Sequence, residues 1–259
     1  MSDRNLCIAL NRNRNEAKPK TLTSFLQTAM LPLGKVMYVY GGGWNEKDNG
    51  AGTEAVTLGL SKEWEEFAAV QDASYDHTKY RYQIHKGLDC SGYVGWVLYN
   101  TFEKQSGCTG YVMPAEKMAE SFAKQGFGTL ISQGGKREFL PGDIVSMKGH
   151  VWISLGTCED GSVLLVHASP PGVILCGTCL PAACGMPEQR GQAVSLAEKY
   201  MRKQFPCWYA KYPNCSRGSF YVTQSSVFRW EQTVLADPEG IRSRNPEDVL
   251  CRILQTNLC

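Results

Sequence analysis

Hydrophobic and polar positions along this chain change rhythm twice. Up to about Lys20 the residues are polar, and Arg12, Arg14, Lys18 and Lys20 read as a solvated tail. Thr21 or Thr23 then suits the cap of a short helix whose apolar positions are Phe25, Leu26, Ala29 and Met30. Val36 to Tyr40 reads as extended and stops at Gly41-Gly42-Gly43. A polar interlude follows from residue 44 to 86, with one helix expected over Ser61 to Asp72 on a partial apolar face of Trp64, Phe67, Ala68 and Val70. This stretch reads as an insertion or lid. A helix opening at Cys90 runs to about Phe102. Another is expected with Pro114 at its first position, apolar contacts at Met118, Ala119, Phe122 and Ala123, and a stop at Gly126.

Beyond Gly126 the period shortens. Phe139 to Met147, His150 to Leu155 and Ser162 to His167 are short, β-rich and punctuated by glycine, as in an antiparallel meander. Helices first and strands afterwards favour an α+β fold over alternating α/β. The remainder, 176–259, reads as an extension packed on the same domain. It holds a Cys, Pro and Gly-rich loop from Cys176 to Pro187, a helix near Val194 to Gln204, extended pieces from Phe220 to Trp230, and a final helix capped by Asn245 with Pro246 behind it.

Bulk composition removes some classes of function. Lys and Arg number 27 against 25 Asp and Glu, a balance too even to argue for nucleic acid or an anionic membrane as partner. No run of about 18 apolar residues exists to span a bilayer. Leu6 to Leu10 is too short for the core of a signal peptide, so the chain as it stands reads as cytoplasmic; a secreted protein trimmed of its leader reads the same. The eleven cysteines cannot all pair within one chain, and Cys7 and Cys251 look like small core residues.

Candidate chemistry centres on Gly87-Leu88-Asp89-Cys90-Ser91-Gly92. A cysteine in the first helical turn meets unpaired N–H groups and the positive end of the dipole, which predicts a depressed thiol pKa and fast alkylation near pH 6 to 7. Of four histidines, His77 and His85 fall in the polar interlude and read as surface residues. His150 and His167 fall on successive strands, where two imidazoles can face one way as a base and its orienter. Packing is the competing reading for these residues. Cys176-Gly177-Thr178-Cys179, with Cys184, Cys207 and Cys215, has one zinc-ligand spacing but lacks a second C-x2-C pair; loop thiols or a disulfide are the simpler reading.

The ordered set Asp89-Cys90-Ser91-Gly92, Leu140-Pro141-Gly142-Asp143-Ile144-Val145, His150-Val151-Trp152-Ile153-Ser154-Leu155-Gly156 and Val166-His167-Ala168 resembles the NlpC-type cysteine peptidases of bacterial cell-wall peptides. Tyr38-Val39-Tyr40-Gly41-Gly42 matches a further element of that family. The resemblance covers roughly residues 22–173, so the catalytic domain is placed at 21–175. It implies a papain-like α+β fold, a cysteine-bearing helix packed on a small antiparallel sheet, and no cofactor or metal. It also implies Cys90 as nucleophile, His150 as general base and acid, and His167 as the orienter. The Cys90 N–H and the Tyr38 hydroxyl would serve the oxyanion, with Asp89, Ser91 and Glu116 toward the substrate. The implied substrate is a short peptide or murein fragment cut between γ-D-glutamate and a diamino acid. A non-catalytic binding or scaffold protein on the same fold, and an acyltransferase or amidase acting on another amide, are the alternatives.

Three departures from the family pattern stand out. The segment from Trp44 to Lys86 is long where the family's link is short. Pro114-Ala115-Glu116-Lys117 replaces a Pro-Arg-Asp-Ser element, keeping a carboxylate at Glu116 but placing a cation at Lys117. Trp152 stands where a small residue is usual, which predicts a bulkier cleft wall.

Overall fold

Thr21 provides the first helix cap. In the computed structural model, which describes residues 20–131, 138–182 and 187–254, a two-residue strand β1 (Lys20–Thr21) leads into helix α1 (Leu22–Met30). The Thr21 hydroxyl accepts from the Ser24 N–H, and the Ser24 hydroxyl oxygen accepts from the Thr21 N–H, a reciprocal capping box. The tail through residue 19, with Cys7, lies outside the described residues, as does Cys184.

Strand β2 (Met37–Tyr38) is shorter than the expected Val36–Tyr40, with Tyr40 already in the turn that leads to the glycines, and helix α2 (Lys62–Ala69) is shorter than its apolar pattern predicts. Strand β3 (Gly87–Leu88) runs parallel to β2 and delivers the chain to helix α3 (Cys90–Phe102). This helix is buried from Cys90 to Tyr99 and again at Thr101, so it is a core helix rather than an amphipathic one. The Tyr93 hydroxyl donates to the Ala29 carbonyl at 2.7 Å and ties α3 to α1. Segment 44–86 packs along α3: the Trp64 and Trp96 rings meet edge to face at 6.1 Å, and the Gly59 N–H donates to Asn100.

Pro114 does not open a helix. It precedes a 3-10 turn (Ala115–Lys117), and helix α4 (Met118–Lys124) starts after it, with Gly126 in the left-handed conformation beyond its end. Strands β4 (Gly128–Ile131), β5 (Ile144–Met147), β6 (His150–Thr157), β7 (Val163–Ser169) and β8 (Gly172–Thr178) follow. The last takes Cys176 to Thr178 out of the expected loop, because Leu164 to Ser169 pairs with it residue by residue down to Gly177. Then come α5 (Gln192–Gln204), α6 (Pro206–Lys211), β9 (Ser216–Arg217), α7 (Phe220–Thr223), β10 (Ser225–Trp230), β11 (Leu235–Ala236) and α8 (Pro246–Leu254). Phe220–Thr223 is helical where an extended piece was expected. Asn245 caps α8 by accepting from the Asp248 N–H at 2.9 Å.

The sheet is larger than the expected small antiparallel one. Nine of the described strands join it in the order β3, β2, β8, β7, β6, β5, β10, β4, with β9 added beside β8, and it is mixed because β3 and β9 pair in parallel. β10 lies between β5 and β4, so residues beyond 176 are part of the same sheet that carries the histidines. Helix α3 packs against β6 and β7, while α5 covers β8.

Among the described residues no helix is long and apolar enough to cross a membrane. Cys251 is half-buried and disulfide-bonded rather than a free core thiol.

Candidate active site

The start of α3 is held by a close approach of two backbones. Asp89 caps the helix: its Oδ1 accepts from the Gly92 N–H at 2.7 Å and the Ser91 hydroxyl at 2.9 Å, while Oδ2 accepts from the Gly41 N–H at 3.2 Å. The Asp89 N–H donates to the Gly42 carbonyl at 3.0 Å. A Cβ on Gly92 would stand 1.9 Å from that carbonyl oxygen, so the Asp-Cys-Ser-Gly and Gly-Gly elements are two sides of one contact. The Trp44 indole N–H donates to the Ser91 hydroxyl at 3.0 Å, anchoring the beginning of the inserted segment at the same spot.

Strand register sets the histidines. Ile153 pairs with Val166, so His167 falls opposite the Trp152 position and His150 lies two residues further along the same face. His150 Nε2 and His167 Nδ1 are 2.7 Å apart. Helix α3 packs against this hairpin, and the Val151 backbone is close enough to the Cys90 thiol to favour its ionised form. Tyr38 is a neighbour of the thiol. Burial first, and then the neighbouring Cys90 and Asp89, push its phenol pKa upward.

The structure thus joins His150 to His167, and it places Tyr38, Asp89 and Ser91 around Cys90 at the start of α3; no hydrogen bond between Cys90 and His150 is formed among the described residues. Both oxygens of Asp89 and the hydroxyl of Ser91 are already engaged within the protein. Glu116 is placed elsewhere, exposed on the 3-10 turn. It lines an open groove of about 420 Å³ with Ser146, Met147, Lys148 and residues 224–226, and none of Cys90, His150 or His167 borders it. Of the two other histidines, His85 is exposed, whereas His77 is half-buried with its ring edge on Tyr38 at 5.6 Å. Trp152 is fully buried against Phe139, at 5.7 Å between ring centres, and so belongs to the core rather than to a cleft wall.

Two site residues come from the C-terminal part and escaped the sequence reading. Tyr221 of α7 packs against the rings of His150 at 5.5 Å and His167 at 5.8 Å. Arg217 of β9 donates from Nε to His167 Nε2 at 3.1 Å.

Burial dominates the electrostatics. It raises the Cys90 thiol to about 12, with the Asp89 charge adding to it, and the N–H groups of Val151 and Ser91 pull the other way without winning. The depressed pKa expected of a helix N-terminus is therefore reversed. Burial and then Arg217 lower His150 to about 4, and burial, Arg217 and His150 hold His167 well below the usual histidine range. Burial raises Asp89 to about 6 against the hydrogen bonds it receives. At neutral pH the resting site holds a thiol and two neutral imidazoles.

Outside this centre, Cys176 and Cys215 are buried free thiols, Cys179 is half-buried and Cys207 exposed. No three His, Cys, Asp or Glu side chains among the described residues converge to hold a metal ion. Comparison with protein-family models, curated proteins and solved structures finds no match.

Proposed function

We propose that the protein is a papain-like, NlpC-type cysteine peptidase acting by acyl transfer on a short peptide of the murein type, between γ-D-glutamate and a diamino acid. The observation that carries this reading is the 2.7 Å contact between His150 and His167 on the strand pair that packs against the Cys90 helix. A thiol next to an imidazole that is itself oriented by a second polar group is the arrangement nucleophilic catalysis requires.

In this mechanism His150 takes the Cys90 proton and the thiolate adds to the amide carbonyl. The oxyanion is met by the Cys90 N–H and the Tyr38 hydroxyl. His150 then returns the proton to the departing amine, and water hydrolyses the thioester with His150 again as base. No cofactor enters any step.

The test is incubation of wild type and Cys90→Ala with a murein tripeptide and tetrapeptide, with products read by mass spectrometry. Release of the diamino acid by wild type alone supports the peptidase. No release from these, or equal behaviour of both proteins on a wider panel of amides, removes it. A non-catalytic binding protein is the second reading, favoured by the burial of Cys90, which is only 6% exposed. It predicts peptide binding without turnover.

A further inference from the structure

Arg217 constrains where the protons of the relay can sit. A guanidinium offers N–H groups and no lone pair, so its 3.1 Å contact makes His167 Nε2 an acceptor. Neutral His167 then carries its proton on Nδ1 and donates it to His150 Nε2 across 2.7 Å. Neutral His150 in turn carries its proton on its own Nδ1, the nitrogen that the peptidase reading assigns to Cys90. A base needs a lone pair at that atom, and this arrangement puts an N–H there. The imidazolium form meets the same obstacle. With both its nitrogens protonated, His150 Nε2 must donate to His167 Nδ1, which sends the His167 proton to Nε2, directly against the Arg217 N–H.

We propose that Arg217 is a positioning residue that holds the Cys90–His150–His167 relay in its inactive tautomer, and that a carboxylate on the substrate activates the relay by drawing the Arg217 donors away. This deepens the peptidase reading and rests on its assignment of His150 as the base. Arg217 is equipped for the exchange. Its Nη1 donates to the Ser216 carbonyl at 2.7 Å, no ion pair with a carboxylate is formed by it among the described residues, and several of its N–H groups are left over. A half-buried guanidinium lacking a counter-ion is a receptor for a carboxylate. Its backbone is fixed by pairing with Thr178 in the sheet, so only the side chain has to move. On release each imidazole moves its single proton from Nδ1 to Nε2 by exchange with water, with no net gain or loss. The Cys90 thiol then passes its proton to His150 Nδ1, leaving thiolate and imidazolium.

Long-range 1H–15N correlation spectra of histidine-labelled protein at pH 7 read the tautomers directly. Wild type is expected to show Nδ1–H on His150 and His167, and Arg217→Met to show Nε2–H on both. A wild-type His167 protonated at Nε2, or an Arg217→Met spectrum with unchanged tautomers, overturns the proposal. If Arg217→Met does not fold, the wild-type spectrum still decides the tautomer. The carboxylate arm uses two alkylating agents of one shape, iodoacetate and its neutral counterpart iodoacetamide. The ratio of their rates at Cys90 is expected to fall roughly tenfold or more in Arg217→Met, the weight of one charge-assisted hydrogen bond. An equal ratio in the two proteins removes the carboxylate trigger. Neither readout requires peptide cleavage, so a protein that passes both but cuts no murein peptide loses its assigned substrate and keeps the gate.

Discussion

His150 Nε2 and His167 Nδ1 share one proton across 2.7 Å, from neighbouring strands and diagonal register positions. The direction of that hydrogen bond decides whether His150 can act on Cys90. In His167→Gln the amide oxygen has two lone pairs, so it can accept from His150 Nε2–H and from Arg217 together, which favours the basic tautomer of His150. Turnover of the tripeptide should survive in this variant. His167→Ala removes the orienter and is expected to lower kcat by roughly 10²- to 10⁴-fold. Steady-state kinetics on the two variants checks the order, and equal losses would show that His167 does no more than fill space.

The same two rings make the fold sensitive to acid. His150 has a folded pKa of about 4, and His167 is lowered as well, both below the unfolded histidine value of about 6.5. The unfolded chain therefore binds more protons between those limits, and stability falls as pH drops from about 6.5 toward 4, by an amount on the order of a few kcal/mol. Asp89 works in the opposite sense, since its raised pKa of about 6 favours the folded state as pH falls through that value. Thermal melts of wild type and His150→Gln should separate the effects, with the acid loss smaller in the variant. Parallel curves would remove the buried histidine as the cause.

Asp143 and Arg229 supply a structural ion pair. Arg229 Nε and Nη2 meet the two Asp143 oxygens at 2.9 and 2.7 Å, and Asp143 also accepts from the Leu140 N–H, fixing the Leu-Pro-Gly-Asp turn onto β10. Asp143 is only 2% exposed. Arg229→Met strands a buried carboxylate and should cost about 3–5 kcal/mol in denaturant unfolding. The loss should shrink at low pH, where Asp143 is protonated, and Asp143→Asn should recover part of it in the double variant.

The parts of the site that sequence made legible are those in which local chemistry and tertiary contact agree. Asp89 is a cap by residue type. Gly92 carries no side chain because its Cα lies against the Gly42 carbonyl, Gly42 none because its own Cα lies against the Gly87 carbonyl, and His150 and His167 fall on strands whose alternation can be read directly. Arg217 was not legible. Ser216-Arg217-Gly218 has no periodicity of its own, and it reaches His167 only because β9 joins the sheet fifty residues later in the chain. Burial was invisible for the same reason. The dipole at the N-terminus of α3 is local, whereas the desolvation of Cys90 depends on how the rest of the chain packs around it.

The glycine contact gives a sharp structural expectation. In Gly92→Ala the added methyl would press on the Gly42 carbonyl oxygen and on the Gly43 Cα at 3.0 Å, both backbone atoms that cannot rotate away. Either the Gly41–Gly43 loop or the first turn of α3 has to move. We expect a loss of roughly 1–3 kcal/mol, the usual cost of overpacking, measured by denaturant unfolding. Loss of the amide resonances that report the Gly41 N–H contact with Asp89 should accompany it. An unperturbed melt would mean that the loop yields without cost.

Cys90 itself should be slow in the free protein. A thiol raised to about 12 is almost wholly protonated at pH 7, whatever the helix dipole contributes. Iodoacetamide at neutral pH should therefore label the exposed Cys207 before Cys90, with peptide mapping as the readout. The Cys90 rate should keep climbing with pH beyond the range in which an ordinary thiol, of pKa about 8.5, has already levelled off. Asp89→Asn removes the neighbouring charge that adds to the burial effect, so it should bring that climb to lower pH. Preferential labelling of Cys90 at pH 6 to 7 would instead mean a standing thiolate–imidazolium pair. The His150 proton would then have to lie toward His167, and Arg217 could not be bonded to His167 Nε2 in the resting protein.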